Sequence, residues 1–200
     1  MPESVSREPL VWVDCEMTGL DRDNDSIMQI ACFVTDYDLD VLDEDGFEAV
    51  IHHSKERLDQ MDDWCTSHHA ASGLTAACIE STTSADDAAK GLLQYVQLHA
   101  PDPRRALLAG NSVHADAAFL RKPPYDVVLR HLHHRILDVS TIKEAARRWV
   151  PREVLAKSPQ KKGLHEARED ILESIREAKF YRDVIFQNAK LPEAVAIEGK

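Results

Sequence analysis

Apolar, β-branched segments dominate the first quarter of the chain. Residues 10–16 (LVWVDCE) and 26–35 (SIMQIACFVT) flank the turn-like sequence TGLDRDND, so the pattern predicts a β-hairpin. The segment 46–52 (GFEAVIH) predicts a third strand. This part of the chain is therefore expected to form an antiparallel β-meander.

Helical spacing of the apolar positions begins after the meander. Ser84 followed by Asp87 predicts a capping box, and the apolar positions from Ala85 to Val96 lie at helical spacing behind it. Farther along, the pattern predicts a strand at 105–111, a helix around 116–120, a strand at 135–140, a helix over 140–149 and a last helix from about 166 to 187. The predicted fold class is α/β: an antiparallel meander, then α/β units, around one mixed β-sheet flanked by helices.

The chain of 200 residues contains no internal repeat and no low-complexity linker, and its length suits one domain with a sizeable core. Two small domains would also fit the length alone. We expect a flexible N-terminus at 1–8, a single domain at 9–187 and a C-terminal tail at 188–200.

Composition narrows the functional classes. The 24 Lys and Arg residues against 35 Asp and Glu residues give a net charge of −11, which disfavours a protein that coats long nucleic acid. No apolar run approaches the roughly 18 residues of a membrane span, so no membrane partner is expected. The four cysteines include no C-x-x-C pair, and residues 1–9 carry no visible targeting signal. We expect an intracellular protein, in the cytoplasm or the mitochondrion.

Two carboxylates, Asp14 and Glu16, lie two positions apart at the end of the first predicted strand. Residues at this spacing point to the same face of a strand, and two such charges are unfavourable together without a cation. Hard divalent ions such as Mg²⁺ and Mn²⁺ prefer carboxylate oxygens, so the pair is a candidate metal site. An isolated D-x-E pattern is more often a solvated strand end, and further carboxylates are needed to support the metal site.

Two more carboxylates belong to later predicted elements. Asp116, in GNSVHADAAFL, lies in the first turn of a helix after a short strand, and such strand ends gather ligands in α/β sheets. The alternative is an acid that only complements the helix dipole. In GLHEARED, Asp170 follows His165 by five residues, so on one helix the two side chains would not share a face. We expect His165 just before the helix or in its first turn, above the cleft, and Asp170 inside it.

Five ordered sequence blocks resemble one family. The blocks are VDCEMTGLD, DDWCTSHHAASGLT, GNSVHADAAFL, ILDVSTIKEAARRW and GLHEAREDILESI, over roughly residues 9–187. Together they are similar to the oligoribonucleases, the short-RNA exonucleases of the DEDDh (DnaQ-like) superfamily. The resemblance implies an RNase H-like fold, two divalent metal ions (Mg²⁺ or Mn²⁺) and a homodimer. It also implies 3′-to-5′ hydrolysis of very short single-stranded RNA, from dinucleotides to about five nucleotides, to 5′-mononucleotides.

The resemblance also implies catalytic roles. The metal-binding acids of the family fall on Asp14, Glu16, Asp116 and Asp170, with Asp14 bridging both ions. Its histidine falls on His165, and an imidazole with an ordinary pKa of about 6.5 suits a general base that takes a proton from the attacking water. Without the carboxylates, a histidine near a helix start would more often be a surface residue.

Substrate-binding roles follow from the same resemblance. Leu20 and Trp64 fall on positions that pack against the bases of a dinucleotide, and core packing is the alternative for both. Ser112, Arg135 and Ser140 fall on positions that cap its 5′ phosphate, with Arg135 reaching across from the second protomer. The alternative for Arg135 is an ordinary solvated side chain. A phosphate cap would limit the length of the substrate.

The chain departs from the family pattern at two places. His134 stands where bacterial members usually carry a tyrosine that enters the partner's active site, which puts that contact and the pH optimum in question. The sequence Asp116-Ala117-Ala118 lacks a basic pair that is common in relatives after the third acid. This loss weakens the case for longer substrates.

Other functions stay open at this point. Cys65 and His68 have the spacing of zinc ligands, but no second ligand pair accompanies them, so structural zinc is not expected. The other histidines considered for such a site are His69, His131, His133 and His134. The same carboxylates could serve DNA 3′ trimming or proofreading. A non-catalytic nucleotide-binding module is disfavoured, because all four carboxylates and the histidine are present.

Overall fold

The computed structural model describes residues 8–159 and 167–187. Of the predicted flexible ends, only Glu8 falls in this part, and the boundaries of the single domain stay a prediction. The described strands are Leu10–Met17 (β1), Ile27–Thr35 (β2), Phe47–Val50 (β3), Leu107–Gly110 (β4) and Ile136–Asp138 (β5).

The described α-helices surround these strands. They are Lys55–Leu58 (α1), Asp63–Ala71 (α2), Leu74–Glu80 (α3), Ala85–His99 (α4), His114–Leu120 (α5), Asp126–His131 (α6), Val139–Trp149 (α7), Arg152–Leu155 (α8) and Ala167–Tyr181 (α9). A π-helical turn, Arg182–Phe186, follows α9.

The strands form one mixed sheet in the order β3-β2-β1-β4-β5. The pairs β1/β2 and β2/β3 are antiparallel, which confirms the predicted meander. The pairs β1/β4 and β4/β5 are parallel, as expected for the α/β units that follow it. β1 is therefore the central strand, where the antiparallel and the parallel halves of the sheet meet.

Side chains along β1 alternate between the two faces of the sheet and so contribute to two separate layers of the core. Val13 and Cys15 belong to a layer that includes Leu92 of α4. Trp12 belongs to the opposite layer, with Ile171 of α9. Because side chains on a strand alternate between faces, the position of each residue in β1 decides which helices it meets.

Several predicted element boundaries are confirmed and others are corrected. The capping box at Ser84 is present, with its Oγ accepting the backbone N–H of Asp87 at 3.1 Å. The strand predicted at 135–140 is too long, because the Asp138 side chain accepts the N–H of Ser140 at 3.0 Å and starts α7 there. Ser140 therefore lies in the first turn of a helix.

The short helices α1, α2, α3, α6 and α8 were not predicted. They contain four to nine residues each, too few for a clear 3.6-residue repeat. The last predicted helix also divides, since α9 ends at Tyr181 before the π-helical turn.

All four cysteines are free and buried. Among the described residues, no helix combines the length and the apolar character that a membrane-spanning segment requires.

Candidate active site

The first two carboxylates lie where β1 approaches its end. Asp14 and Glu16 alternate with Cys15, so they lie on the face of β1 that also carries Trp12. This is the face that α9 covers, and Asp170 lies in the first turn of α9, one residue before the core residue Ile171. The fold therefore brings the start of α9 to the face of β1 that carries the D-x-E pair.

Asp116 reaches the same strand from α5. Its Oδ1 accepts the backbone N–H of Cys15 at 3.0 Å, between Asp14 and Glu16 in the chain. The residue is only 6% exposed and lies in the first turn of α5. The hydrogen bond fixes this carboxylate against β1, so it does more than complement the dipole of a seven-residue helix.

The pKa shifts of two of these acids are consistent with Asp170 and Asp116 lying near Glu16. Burial, followed by the charges of Asp170 and Asp116, raises the pKa of Glu16 to about 7. Burial also raises the pKa of Asp116 to about 7, against the opposing effect of the Cys15 N–H. The free protein therefore meets a cost for holding these carboxylates ionised, which a bound cation would offset.

The donor set fits hard divalent cations. Asp14, Glu16, Asp116 and Asp170 offer carboxylate oxygens, which are the ligands that Mg²⁺ and Mn²⁺ prefer. Hereafter these four residues are called the carboxylate edge. The predicted set is thus gathered by the fold from β1, α5 and α9. His165, the predicted general base, lies outside the described residues.

A second grouping of possible metal ligands adjoins Glu16. One ligand atom each from Glu16, His68 and His69 lies within 4.8 Å of the others. His69 is buried, and its Nε2 lies 2.9 Å from the carbonyl oxygen of Met17, which fastens α2 to the end of β1. Cys65 packs in an apolar cluster and is not part of this grouping, so the C-x-x-H spacing was not informative.

Leu20 and Trp64 are both solvent-exposed. Leu20, between β1 and β2, is 83% exposed, and Trp64, in the first turn of α2, is 64% exposed. The Trp64 ring stacks on that of His68 at a centroid distance of 4.7 Å. Core packing is therefore excluded for both residues in the free protein. We call Leu20 and Trp64 the base rim.

The loop that carries Leu20 is fixed by an arginine of α1. Arg57 Nη2 donates to Thr18 Oγ1 at 2.7 Å, to the carbonyl oxygen of Asn24 at 2.8 Å and to Asp25 Oδ1 at 3.2 Å. Thr18 Oγ1 also donates to Asp25 Oδ1 at 2.8 Å. Gly19 is required here, because an added Cβ would collide with the Asp25 carboxylate. The loop is thus anchored on both sides of its exposed leucine.

The structure brings together the two predicted serines of the phosphate cap. Ser112 follows β4 and Ser140 follows β5, and their hydroxyl oxygens lie 3.1 Å apart. Ser112 has a left-handed backbone, with φ of 51°, and its N–H donates to Asp138 Oδ1 at 2.9 Å and to Ser140 Oγ at 3.0 Å. His114 Nδ1 lies 3.0 Å from Asp138 Oδ2 on the other side of this carboxylate.

Arg135 and His134 are not brought to these serines within one chain. Both precede β5, whereas Ser140 follows it, so they lie at opposite ends of the strand. Arg135 instead lines a cavity of about 730 Å³ that also includes Arg104 and Arg182. His134 is exposed, and its ring stacks on that of His133 at 4.2 Å.

Sequence reasoning missed the residues that hold the predicted substrate-binding groups in place. These are Arg57, His69, Asn111 and Asp138. Asp138 alone carried a usable signal, because an acid two residues before Ser140 at a strand end is a typical N-cap. The other contacts join elements distant in the chain, for which spacing gives no signal.

Comparisons with known proteins agree with the fold. The exonuclease family model (RNase T) matches residues 11–178. A structure of E. coli exonuclease I in complex with a dT13 oligonucleotide superposes with a TM-score of 0.66 at 14% identity. That match covers 88% of this chain and 41% of the exonuclease I chain, so it supports the fold alone. The zinc-bound form of an E. coli exonuclease I–ssDNA complex matches with a TM-score of 0.64. It has 14% identity and covers 90% of this chain and 41% of that one.

Curated sequences give a closer match. The chain is 49% identical to "Oligoribonuclease, mitochondrial" of Bos taurus over 180 residues, covering 89% of this chain and 73% of the relative. It is 48% identical to the mitochondrial oligoribonuclease of Homo sapiens, with the same coverage. It is 46% identical to the oligoribonuclease of Corynebacterium glutamicum, covering 88% of this chain and 80% of that protein. The chain therefore belongs to the oligoribonucleases, within the exonuclease family.

Proposed function

We propose that this chain is a metal-dependent 3′-to-5′ exoribonuclease that degrades very short oligoribonucleotides, above all dinucleotides, to 5′-mononucleotides. The observation that carries the proposal is the convergence of Glu16, Asp116 and Asp170, in which the charges of the two aspartates help to raise the pKa of Glu16. Membership of the oligoribonucleases supports the choice of short RNA as the substrate.

The carboxylate edge is proposed to hold two divalent ions, Mg²⁺ or Mn²⁺. When bound, such ions lower the pKa of the attacking water and stabilise the charge that develops on the phosphate and the leaving 3′ oxygen. The chain's own contribution is to fix the ligands. β1 holds Asp14 and Glu16 on one face, the N–H of Cys15 orients Asp116, and α9 presents Asp170.

His165 is proposed as the general base that accepts a proton from the attacking water. An imidazole of ordinary pKa is about half deprotonated near pH 6.5 and mostly neutral at pH 7.5, which suits this role. Replacement of His165 by alanine is expected to reduce kcat by about 10²-fold or more while binding of divalent ions is retained. A loss explained wholly by weaker Mg²⁺ binding would make His165 a ligand instead.

The substrate is proposed to lie between two sets of contacts. Leu20 and Trp64 present apolar and aromatic surface for the two bases, and their exposure supports this role. Ser112 and Ser140 face the 5′ phosphate. Arg135 is proposed to complete this cap from the second protomer of a homodimer, since within one chain it lies at the other end of β5 from Ser140.

His134 is proposed to occupy the place of the family's tyrosine in the same trans contact. Imidazole can stack or donate a hydrogen bond, but it is shorter and titratable. Sedimentation should therefore detect a dimer at assay concentrations, and an active monomer would refute the shared site. The cytoplasm or the mitochondrion stays our proposal for the compartment.

The decisive experiment measures kcat/KM on RNAs of two, five and twenty nucleotides with Mg²⁺, Mn²⁺ or EDTA, at two salt concentrations. With a net charge of −11, the protein has little basic surface along which to bind a longer strand. We expect kcat/KM to fall with length, EDTA to abolish turnover and the salt slope to correspond to one or two phosphates, at about 0.7 per phosphate.

Two other outcomes would contradict the proposal. A rate that rises with length and collapses with salt would indicate an extended groove that follows the phosphates. A matched DNA dinucleotide cleaved faster than the RNA dinucleotide would favour DNA 3′ trimming on the same site.

A further inference from the structure

A chain of hydrogen bonds joins the two serines of the phosphate cap to α9. Ser140 Oγ lies 3.3 Å from Asn111 Oδ1, and Asn111 Nδ2 lies 2.8 Å from Ser174 Oγ. Ser174 Oγ in turn donates to the carbonyl oxygen of Asp170 at 2.7 Å. Asn111 thus stands between the cap and the turn of α9 that carries a residue of the carboxylate edge.

The partners of Asn111 define which way its amide points. Its Nδ2 faces Ser174 Oγ and, at 3.2 Å, Glu177 Oε2. The single hydroxyl proton of Ser174 is used on Asp170, so Ser174 can only accept from Asn111, as Glu177 does. Two acceptors require the NH₂ group on this side, which places the carbonyl oxygen of Asn111 towards Ser140.

This orientation also fixes the protons of the two serines. Because Asn111 Oδ1 can only accept, the Ser140 hydroxyl must donate its proton to it. Ser140 Oγ is then left as the acceptor for the N–H and the hydroxyl of Ser112. Every bond from Ser112 to Asp170 therefore runs in one direction, an arrangement in which neighbouring bonds strengthen one another.

The polar surroundings hold Asn111 firmly in this position. Glu177 is 4% exposed and also contacts Lys143 Nζ at 3.1 Å and the hydroxyl of Tyr181 at 3.1 Å. A buried carboxylate with these partners cannot give up a donor without cost. Asn111 is accordingly tied to α9 by two bonds and to α7 by one.

We propose that Asn111 is a positioning residue for the 5′ phosphate of the substrate, acting through Ser140 to orient the hydroxyl of Ser112 as the donor to that phosphate. This inference rests on the proposed function. In the free protein the N–H of Ser112 is used by Asp138 and Ser140, and its hydroxyl donates to Ser140. The hydroxyl can turn to an anion by giving up that one bond, while the N–H still holds Ser112 on Ser140 and the bonds from Ser140 to Asp170 remain. Ser140 acts by holding Ser112 rather than by giving up its own proton.

The experiment compares a 5′-phosphorylated dinucleotide (pApA) with its 5′-hydroxyl counterpart (ApA). For each variant we would measure kcat and KM with Mg²⁺ and the dissociation constants in EDTA, where no turnover occurs. Asn111→Ala should reduce the preference for pApA by about tenfold, mostly in KM and in the dissociation constant, and leave values for ApA nearly unchanged. Ser112→Ala should lose the preference to at least the same extent.

Two further variants keep the test decisive if Asn111→Ala is poorly folded. Ser174→Ala removes one anchor of the Asn111 amide but leaves Glu177, so a smaller loss in the same direction is expected. Arg176→Gln is the matched control, because it removes an ion pair on the same helix that is made with Glu173 rather than with Glu177. It should leave the ratio of pApA to ApA unchanged.

The outcomes separate this inference from the proposed function. A wild-type protein that prefers pApA while Asn111→Ala and Ser174→Ala keep the full preference would overturn the role of Asn111 alone. An equal loss for pApA and ApA would make Asn111 merely structural. A wild-type protein that does not distinguish the two substrates would overturn both this inference and the phosphate cap.

Discussion

The carboxylate edge and the base rim are built in opposite ways. Asp116 is 6% exposed and bonded to the backbone of the central strand, whereas Leu20 is 83% exposed on a loop. Cation binding by the edge requires ligands in fixed positions and a low dielectric. The same burial raises the pKa values of Glu16 and Asp116, so their ionised forms are less stable in the metal-free protein. The role proposed for the rim requires exposed apolar surface, and exposed side chains contribute little to the stability of the fold. Rate should thus depend mainly on the edge and affinity mainly on the rim.

The largest effect is expected for Asp116→Asn. The amide oxygen can still accept the Cys15 N–H, but the charge needed for cation binding is lost, so turnover should fall on the order of 10³-fold or more. Removing a buried charge should at the same time raise the melting temperature of the metal-free protein. Turnover assays and thermal melts in EDTA would measure the two effects.

The control for this prediction is Asp86→Asn. Asp86 is also an acid in the first turn of a helix, α4, but it is exposed and distant from the edge. Its replacement should change neither rate nor stability appreciably. An Asp116→Asn protein with near wild-type turnover would remove Asp116 from the metal ligands.

The next largest effect is expected at the base rim. Leu20→Ala or Trp64→Ala should raise KM for a dinucleotide by about 10- to 100-fold, since one base contact is worth about 1–3 kcal/mol. The melting temperature should hardly move, because both side chains are exposed. Trp149→Ala, at a still more exposed tryptophan of α7, is the control and should leave KM unchanged. A drop in kcat alone would contradict the division between edge and rim.

A smaller effect is expected when pH changes the stability and the Mg²⁺ affinity of the protein. Glu16 and Asp116 have pKa values of about 7 in the folded protein. The folded protein therefore binds more protons than the unfolded chain between about pH 4 and pH 7. These groups therefore lower the stability of the metal-free protein as pH rises through this range. Divalent ions must displace the same protons below pH 7, so Mg²⁺ affinity should rise by up to about tenfold per pH unit for each proton displaced.

This dependence can be read from the Mg²⁺-induced shift in melting temperature at pH 6 and pH 8. The shift should be larger at pH 8, and Asp116→Asn should weaken the dependence. An Mg²⁺ affinity that is independent of pH would show that the edge is already ionised at pH 6.

The smallest effect is expected for Arg57, which holds the loop that carries Leu20. Arg57→Ala removes three hydrogen bonds that hold the Leu20 loop, and we expect KM to rise a few-fold, in line with about 1 kcal/mol for partly exposed contacts. In a Leu20→Ala background the same change should have little further effect, because the anchor acts through Leu20. Lys55→Ala, which removes only the exposed ion pair with Asp59, is the control.

The residues of the carboxylate edge could be predicted from the sequence, whereas the residues that hold the loops in place, such as Arg57 and Asn111, could not. Asp14 and Glu16 were placed on one face by strand periodicity, and Asp116 by the helix start that follows β4. Leu20 and Trp64 were placed by family resemblance, and only the structure excludes core packing for them. Arg57 and Asn111 could not be predicted, because their partners lie 32–39 and 29–66 positions away and no periodicity relates them.

The alternation of side chains along β1 also gives Cys15 a role of its own beside the carboxylate edge. Cys15 lies between two proposed metal ligands in the chain, yet its thiol points into the opposite layer of the core, and burial raises its pKa well above the ordinary value. A buried, protonated thiol neither reacts readily with peroxide nor captures soft metals. The same thiol forms a hydrogen bond to the Asp116 carboxylate, which opposes the effect of burial and lowers the pKa of that acid. The residue between two proposed metal ligands thus helps to keep a third one ionised.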